Sequence, residues 1–391
     1  MFFSSPPSYI GVDIGASAIK IVELTNDQGR PRLVTYGIAE HHKALLGNFD
    51  PRQSPTDVAI ALKSLLSKSR VTTTKVIASL PSFSVFTSMV TIPLLEKKDT
   101  AAAVRWEAKK IIPLPIEEMV LDWKILEDHE WRSRGEQVGV ATALTSEQIG
   151  EREPVPAPVE SPTSNAGKTQ RVLVTAAARQ LVKKYIDIFK AAGLELLSLE
   201  TEAFALLRSL IGYDQSVIMI VDIGAINTDI TVVDHGIPLL NRSIDTGGVS
   251  LTQAIANQMH MSLDEAEQFK RDWSRETHEQ VPPVIEQALM PIMNEMKYCS
   301  TLYDRQIEAL LGIGSATMRQ GAHPSIEKII LTGGSAYFSF LEQCFKNHFP
   351  IAVAIGNPWA RVSFPKDLQK QLYDIGPRSS IAIGLAMRNI E

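Results

Sequence analysis

The sequence predicts an α/β protein with two related halves, and three observations lead to this prediction. Strand-like and helix-like segments alternate along the chain, a pattern that is typical of α/β architecture. The pentapeptide VDIGA occurs at Val12–Ala16 and again at Val221–Ala225, each time between two β-branched runs. The chain has 391 residues, which is enough for two domains with separate cores. The repeated pentapeptide therefore marks one equivalent structural unit in each half.

Composition excludes several classes of function. Charged residues make up 21% of the chain and the formal net charge is −5, so charge gives no reason to expect nucleic acid as the main partner. The two cysteines, Cys299 and Cys344, suit a reducing compartment and are too few for a disulfide framework. The N-terminus lacks the pattern of a signal peptide, and no apolar run reaches the roughly 18 residues that span a bilayer. We therefore expect a cytoplasmic protein that reaches a membrane only if another component recruits it.

Both copies of the pentapeptide predict a β-hairpin with a carboxylate at the end of its first strand. In YIGVDIGASAIKIVEL, Asp13 ends the first strand and a turn of small residues follows it. In SVIMIVDIGAINTDITVVDHG, Asp222 ends the first strand and the turn spans Gly224–Thr228. The two segments thus place the same chemical groups at the same point of the same local structure.

This arrangement suits the binding of a polyphosphate. Glycine and alanine let the backbone approach closely, and successive turn N–H groups favour anions. The hydroxyls of Ser17 and Thr228 add donors, whereas Asp13 and Asp222 would repel phosphate unless Mg²⁺ and its waters lie between them. One copy alone is best explained as an ordinary hairpin with a solvated aspartate. Two matched copies favour a nucleotide held from both sides, with Mg²⁺ bound to the two aspartates through water.

Three helices are predicted between and after these hairpins. The first spans Thr100–Ile112 and stops before Pro113, and the second ends at Gly193 as a C-cap. The third covers residues 282–306, and Pro291 is expected to kink it. Its apolar stripe is interpreted as core rather than as a binding face, and it consists of Ile285, Leu289, Met293, Met296 and Tyr303.

One segment lacks the composition of a folded element. Glu151–Gln170 contains four prolines and almost no large apolar residues. It cannot bury enough surface to offset its ordering entropy, so a mobile loop inserted within a domain is predicted.

The two hairpins resemble the phosphate motifs of the actin-like ATPase superfamily, which includes actin, sugar kinases and the large heat-shock chaperones. A third motif of that superfamily, a strand ending in a Gly-Gly turn, is matched by KIILTGGSAYFSFL. DTGGVSLTQAI supplies a further Gly-Gly turn, and DEAEQFK matches the Glu-x-x-Lys pattern that contacts the ribose. The resemblance implies ATP and Mg²⁺ as cofactors. It assigns to the nucleotide site Asp13, Gly15, Ala16, Ser17, Lys20, Asp222, Gly224, Asn227, Thr228, Gly247, Gly248, Glu267, Lys270, Gly333, Gly334 and Ser335.

A closer resemblance is to the PilM family, a relative of the division protein FtsA. It is carried by AVRWEAKKIIPLPIEEMVLDW, GNPWARVSF and LYDIGPRSSIAIGLAMR. It implies the two-half actin-like ATPase (ribonuclease H-like) fold with an additional small subdomain, 1C. The expected boundaries are 1–83, 197–215 and 375–391 for subdomain 1A, 84–196 for 1C with its mobile loop 151–170, 216–250 and 326–374 for 2A, and 251–325 for 2B.

The resemblance also implies a function. Members of this family are ATP-binding cytosolic assembly proteins of type IV pilus machines, and they bind the N-terminal cytosolic tail of a PilN-like inner-membrane protein. We therefore expect a nucleotide-dependent scaffold, peripheral at the cytosolic face of the inner membrane, without direct membrane insertion and without a nucleic-acid partner. Other components of the pilus machine are possible partners. An FtsA-like cell-division filament protein and a small-molecule kinase of the same superfamily are the alternatives.

Two features bear on catalysis. The second turn reads Gly224-Ala225-Ile226, where most superfamily members have three glycines, and the larger side chains restrict the backbone beside the phosphates. ATP hydrolysis is therefore expected to be slow or absent. The resemblance makes Glu200 the candidate for orienting the attacking water, and a polar cap on a helix start is the alternative interpretation of this residue.

Overall fold

The computed structural model of the chain describes residues 6–40, 55–126, 143–145, 169–273, 282–311, 325–336 and 338–390. The strands are β1 (Ser8–Ile14), β2 (Ala18–Asp27), β3 (Arg30–Glu40), β4 (Lys75–Leu80), β5 (Val85–Pro93), β6 (Met119–Leu126), β7 (Ala143–Thr145), β8 (Thr169–Ala178), β9 (Glu195–Thr201), β10 (Ile218–Ile223), β11 (Thr228–Asp234), β12 (Ile237–Ile244), β13 (Lys328–Thr332) and β14 (Ala352–Ile355). The helices are α1 (Pro55–Lys68), α2 (Lys97–Ile111), α3 (Arg179–Ala192), α4 (Glu202–Leu206), α5 (Gly248–Met259), α6 (Leu263–Trp273), α7 (Pro283–Leu311), α8 (Ser339–His348) and α9 (Gln369–Met387).

Two sheets repeat one topology. The first has the strand order β3-β2-β1-β4-β9-β7 and the second has the order β12-β11-β10-β13-β14. In each sheet the first three strands in sequence form an antiparallel meander, and the first strand of that meander also pairs in parallel with a later strand. The prediction of an α/β protein with two related halves is confirmed.

A third sheet, β5-β8-β6, is wholly antiparallel and lies in the sequence between β4 and β9. Because alternate residues of a strand point to opposite faces, β8 divides its side chains between two environments. Val172, Val174 and Ala176 pack with α2 in a small separate core, whereas Leu173 joins the core of the second half and Ala177 joins that of the first. The third sheet is therefore a unit with its own core that docks on both halves. The subdomain boundaries expected from the sequence stay a prediction.

Helix α9 joins the two halves. A Cβ at Gly11 of β1 would lie 1.9 Å from the Ala382 carbonyl oxygen, and a Cβ at Gly384 would lie 1.8 Å from the Ala205 carbonyl oxygen. These glycines thus allow α9 to press against β1 and α4. On the other side, the Pro377 carbonyl accepts a hydrogen bond from the Gly333 N–H at 3.1 Å and another from the Thr332 hydroxyl at 3.0 Å. The helix consequently touches both sheets close to their first strands.

The predicted helices are found, with shifted ends. Helix α2 begins at Lys97, one turn before the predicted start, and Ile112 is extended ahead of Pro113. Helix α3 ends at Gly193, whose φ of 77° confirms the predicted C-cap. Helix α7 runs through Pro291 to Leu311. The five residues of its predicted core stripe are each 2% exposed or less, so that interpretation is confirmed.

The predicted loop Glu151–Gln170 is two residues too long, because Thr169 and Gln170 belong to β8 and pair with β5. The rest of that loop lies outside the described residues. Within the described ranges, no helix combines the length and the apolarity required to cross a membrane.

Candidate functional site

The first hairpin consists of β1, β2 and the turn Gly15–Ser17. Its register places Asp13 directly across from Lys20, and the Lys20 Nζ lies 2.7 Å from Asp13 Oδ2. Asp13 is 2% exposed, so its carboxylate is buried against this ammonium group. The turn closes with a hydrogen bond from the Gly15 N–H to the Ala18 carbonyl, 3.0 Å long. Ala16 and Ser17 are half-buried at its tip.

The second hairpin, β10 and β11, repeats this backbone. The Gly224 N–H donates to the Asn227 carbonyl at 2.9 Å, the same closing bond as in the first turn. Its register places Asp222 across from Asp229, so a carboxylate stands where the first hairpin has a lysine. The Thr228 hydroxyl donates to the Thr246 carbonyl at 2.6 Å. Its proton, which the sequence predicted to bind a phosphate, is therefore used within the protein. The Asn227 amide donates to Asp245 Oδ1 at 3.1 Å.

The predicted Gly333-Gly334-Ser335 motif lies against the second turn. Gly333 has a φ of 93°, and a Cβ there would lie 2.2 Å from Asp222 Oδ1 and 2.6 Å from the Ile223 carbonyl oxygen. The Ser335 N–H donates to that same Ile223 carbonyl at 3.0 Å. Only glycine therefore allows the end of β13 to approach the Asp222 carboxylate.

The Gly247-Gly248 turn is fastened to the second hairpin as well. The N–H groups of Gly248 and Val249, at the start of α5, donate to the carbonyls of Gly224 and Ala225 at 2.9 and 2.8 Å. A Cβ at Gly247 would lie 2.8 Å from those same backbone atoms. Three separate segments thus meet at one turn, as the motif assignment from the sequence implies.

Glu267 and Lys270 lie behind this turn, on α6. The Lys270 Nζ is 2.6 Å from Glu267 Oε2, and it donates to the Gly248 carbonyl at 3.1 Å and to Thr252 Oγ1 at 2.7 Å. Burial lowers the pKa of Lys270, although Glu267 opposes the shift. Burial would raise the pKa of Glu267, but Lys270 and hydrogen bonds outweigh it and the net shift is downward. In this arrangement the pair supports the Gly248 turn.

Four carboxylates interact where the two hairpins face each other: Asp13, Glu202, Asp222 and Asp229. Burial raises the pKa of Asp222 to about 7, and Asp229 and Asp13 add to the effect while Lys20 opposes it. Burial also raises the pKa of Glu202 well above its usual range, and Asp229 and Asp13 raise it further. Burial raises the pKa of Asp229 to about 6. The site therefore concentrates more negative charge than the ion pair of Lys20 with Asp13 neutralises.

Sequence reasoning missed Glu202 and Asp229. Asp229 could have been found from the hairpin register, because a turn that closes between residues 224 and 227 sets residue 229 opposite Asp222. Glu202 carries a weaker signal, since it lies two positions from Glu200 at the start of α4.

Glu200 itself lies in a different environment. It is a residue of β9, its carboxylate forms an ion pair with Arg208, and Arg388 Nε lies 3.7 Å from Glu200 Oε2. Burial raises the pKa of Glu200 although both arginines favour its ionised form. Helix α4 begins after Thr201, so Glu200 is not its N-cap. The predicted role in orienting water gains no support from these contacts, and the position beside the aspartates is that of Glu202.

The residues fit a phosphate chain with a hydrated cation. No three acidic, histidine or cysteine side chains in the described part of the chain are grouped closely enough to ligate a metal directly. Carboxylates that share uncompensated charge at a greater spacing suit Mg²⁺ that keeps its waters. The two glycine turns and Lys20 supply the donors and the cation that phosphate oxygens require.

Comparisons with known proteins show the family of the chain. The family model described as type IV pilus assembly protein PilM matches residues 11–156 and 158–390. A solved PilM–PilN type IV pilus biogenesis complex contains a chain 26% identical to this one, with a TM-score of 0.70 and 98% of each chain covered. The ethanolamine utilization protein EutJ from Carboxydothermus hydrogenoformans is 16% identical with a TM-score of 0.51, covering 99% of this chain and 91% of its own, and this likeness concerns the fold alone.

A curated relative, EutJ of Salmonella typhimurium, is 28% identical over 165 residues, which are 42% of this chain and 49% of the relative. The chain thus spans about half the length of the curated relatives it matches. The PilM model, in contrast, covers nearly the whole chain, and the fold with its paired hairpins is that of the actin-like ATPases. The chain therefore belongs to the PilM family of type IV pilus assembly proteins.

Proposed function

We propose that this protein binds ATP with Mg²⁺ between its two hairpins and that nucleotide binding controls its attachment to a PilN-like inner-membrane protein. The observation that carries the proposal is the convergence of two matched turns on one cluster of carboxylates, with Lys20 as its cation. The first turn and Lys20 would contact phosphate oxygens, and Asp13 and Asp222 would hold Mg²⁺ through water. A bound Mg²⁺ supplies charge neutralisation of the phosphates.

Slow hydrolysis is part of the proposal. A residue that orients water must act from within the site, and Glu202 is the carboxylate at the right place. Burial and the neighbouring aspartates raise its pKa, which favours the protonated carboxyl, and a protonated carboxyl accepts no further proton. Ile226 is 37% exposed at the second turn and adds bulk there. We infer that ATP acts mainly as a switching ligand.

The proposed partner is the N-terminal cytosolic tail of a PilN-like protein, because the similar solved structure is a PilM–PilN complex. Binding to such a tail would place the protein at the cytosolic face of the inner membrane. We assign subdomain 1C to the third sheet and α2, which form a unit with a separate core.

Calorimetric titration of MgATP tests nucleotide binding. Ser17→Asp adds a negative charge to the first turn, and we expect it to weaken ATP binding by about tenfold or more, which corresponds to roughly 1.4 kcal/mol. Ser67→Asp, on the exposed face of α1, is the matched control and should bind like the wild type. Equal affinities for all three proteins, or no binding by the wild type, would refute the proposed site.

Fluorescence anisotropy with the labelled N-terminal peptide of the PilN-like protein tests the partner. We expect the peptide affinity to differ by about fivefold or more between the ATP-bound and nucleotide-free protein, the usual range for coupled sites. Equal affinities in both states would refute nucleotide control of the attachment and leave the binding of the PilN-like peptide standing. Failure of the peptide to bind in either state would exclude the partner.

A further inference from the structure

The Glu202 carboxylate is held by a backbone group at the root of the third sheet. The Ser82 N–H donates to Glu202 Oε2 at 2.8 Å, although the two residues are 120 positions apart in sequence. Ser82 is 5% exposed, so this bond lies away from solvent. The strength of a hydrogen bond depends steeply on the placement of its donor.

The donor is rigidly connected to β5. Pro81 has a φ of −58° and precedes a short 3₁₀ turn, Ser82–Ser84. Ser84 donates to the Pro81 carbonyl through its N–H at 2.9 Å and through its hydroxyl at 2.7 Å. Val85, the first residue of β5, follows this turn directly. Ser82 also follows Leu80, the last residue of β4, after one residue. The Ser82 N–H therefore lies at the junction between the first sheet and the first strand of the third sheet.

The acceptor is connected to the carboxylate cluster. Glu202 is the first residue of α4 and directly follows Thr201, which is both the last residue of β9 in the first sheet and the N-cap of the helix. Its carboxyl interacts electrostatically with Asp229, Asp13 and Asp222, which belong to both hairpins. One hydrogen bond therefore links the third sheet to the candidate nucleotide site.

The face by which the third sheet docks contains a weak point. Asp122 and Thr175 lie opposite each other on β6 and β8, between the apolar contacts that Leu173 makes with one half and Ala177 with the other. Asp122 Oδ2 and Thr175 Oγ1 are buried and have no hydrogen-bond partner in the described structure. Buried polar atoms without partners reduce the stability of an interface, so the docking of the third sheet is weakened at this point.

We infer that the Ser82 N–H is a positioning group that couples the third sheet to the nucleotide site through Glu202. Displacement of β5 moves the donor and changes the orientation of the Glu202 carboxylate. By linkage, a ligand that alters the environment of Glu202 alters the docking of β5 to the same extent. The inference rests on the proposed function, because it takes nucleotide as the ligand at the carboxylates.

A proline at position 82 tests the coupling, because it removes the N–H without a large change of shape. Pro81 has a ψ of 134°, which is compatible with a following proline, and proline is tolerated in the first position of a helical turn. Ser82→Ala retains the N–H and is the matched control. Glu202→Ala removes the acceptor instead of the donor, and it replaces Ser82→Pro as the test if circular dichroism shows that the proline variant is not folded.

The measurement is hydrogen exchange of the β5 segment with and without MgATP, together with the calorimetric affinity of each variant. We expect MgATP to change β5 exchange by about threefold or more in the wild type and in Ser82→Ala. In Ser82→Pro and Glu202→Ala the β5 response should be lost, and Ser82→Pro should still bind MgATP within about threefold of the wild-type affinity.

The outcomes separate the two proposals. Wild-type protein that binds MgATP without any change in β5 exchange would overturn the coupling and leave the proposed function standing. A full β5 response in Ser82→Pro would overturn it as well. Failure of the wild type to bind MgATP would overturn the proposed function, and the coupling with it.

Discussion

The two hairpins share a backbone and differ in the residue that faces each aspartate. Both turns close with a bond from a glycine N–H to the carbonyl three residues later. Across from Asp13 stands Lys20, and across from Asp222 stands Asp229. Asp13 is thus neutralised within its own hairpin, whereas the pKa of Asp222 is raised to about 7, mainly by burial and then by Asp229. The first hairpin brings a cation to the site, and the second leaves negative charge that suits a hydrated metal ion.

The two turns also differ in their support. Gly333 and Gly247 pack closely against the second turn, because a Cβ at these positions would lie 2.2 and 2.8 Å from hairpin atoms. Near Gly15 the contacts come from its own hairpin, since a Cβ at that position would lie 3.3 Å from Ala18 and 3.5 Å from Lys20. The second turn is restrained by its neighbours, and the first depends on its own residues.

Of the substitutions that distinguish the two hairpins, replacement of Lys20 should change the free energy of unfolding the most. Lys20→Met leaves Asp13, whose side chain is 3% exposed, without its ion-pair partner. Removing one partner of a buried pair costs about 3–5 kcal/mol, and we expect a loss of that size in the free energy of unfolding, measured in urea.

The matched control is Lys63→Met on the exposed face of α1, which should change stability by less than about 0.5 kcal/mol. If Lys20→Met and Lys63→Met were equally stable, Asp13 would not depend on the cation of its own hairpin, and the two hairpins would be electrostatically equivalent.

Neutralising Asp229 should instead increase the free energy of unfolding. A buried carboxyl whose pKa is about 6 when folded, against roughly 3.9 when unfolded, binds protons more tightly in the folded state. Its contribution to stability therefore falls as pH rises from about 4 and levels off above about 6. Asp229→Asn removes that penalty, so it should stabilise the nucleotide-free protein by about 3 kcal/mol at pH 8 and by much less at pH 4.5.

The measurement is urea unfolding of Asp229→Asn and wild type at several pH values, with the exposed Asp367→Asn as the control. A gain for Asp229→Asn that is independent of pH would show that the buried Asp229 carboxyl does not bind protons more tightly in the folded protein, and that the two hairpins do not differ in this respect.

Local sequence was sufficient for the hairpins. Their β-branched strands, their aspartates at strand ends and their glycine turns are all set by residues within about ten positions of one another. The charge partner across each hairpin follows from register, and register follows from the turn. The sequence was therefore sufficient to predict that Asp229 lies opposite Asp222, although this pairing was overlooked.

The sequence was not sufficient to predict which of the two glutamates, Glu200 or Glu202, joins the carboxylate cluster. The two glutamates differ by two positions, and their environments depend in part on segments more than a hundred residues away. Glu200 is held by Arg208 and by Arg388 at the end of α9, whereas Glu202 is held by the Ser82 N–H. Three parts of the chain separated by more than a hundred residues decide which carboxylate joins the cluster, and no local pattern encodes that.

The same holds for the docking of the third sheet. Alternation along β8 predicts that its residues divide between two faces, but it does not tell which face meets the body of the protein. The Asp122–Thr175 pair lies within that interface, where alternation alone would permit it to be solvated. Tertiary packing thus produces the buried polar atoms on which the proposed coupling depends.

The smallest predicted effect concerns the turns themselves. A Cβ at Gly224 would lie 2.9 Å from the Asn227 carbonyl oxygen, and one at Gly15 would lie 3.3 Å from the Ala18 carbonyl oxygen. The second turn cannot relax easily because Gly248 and Ser335 are bonded to it. We therefore expect Gly224→Ala to cost about 1–2 kcal/mol, while Gly15→Ala should cost less than about 0.5 kcal/mol because the reduced entropy of the unfolded chain offsets the contact.

Gly334→Ala is the control for the entropy contribution, since a Cβ there meets no atom within 4 Å. It should be neutral or stabilising by about 0.4–1 kcal/mol. Thermal unfolding of the three variants gives the order directly. A larger loss for Gly15→Ala than for Gly224→Ala would mean that the first turn is the more constrained of the two. The neighbours of the second turn would then be packed against it without restraining it, and the difference between the hairpins would lie in their charges alone.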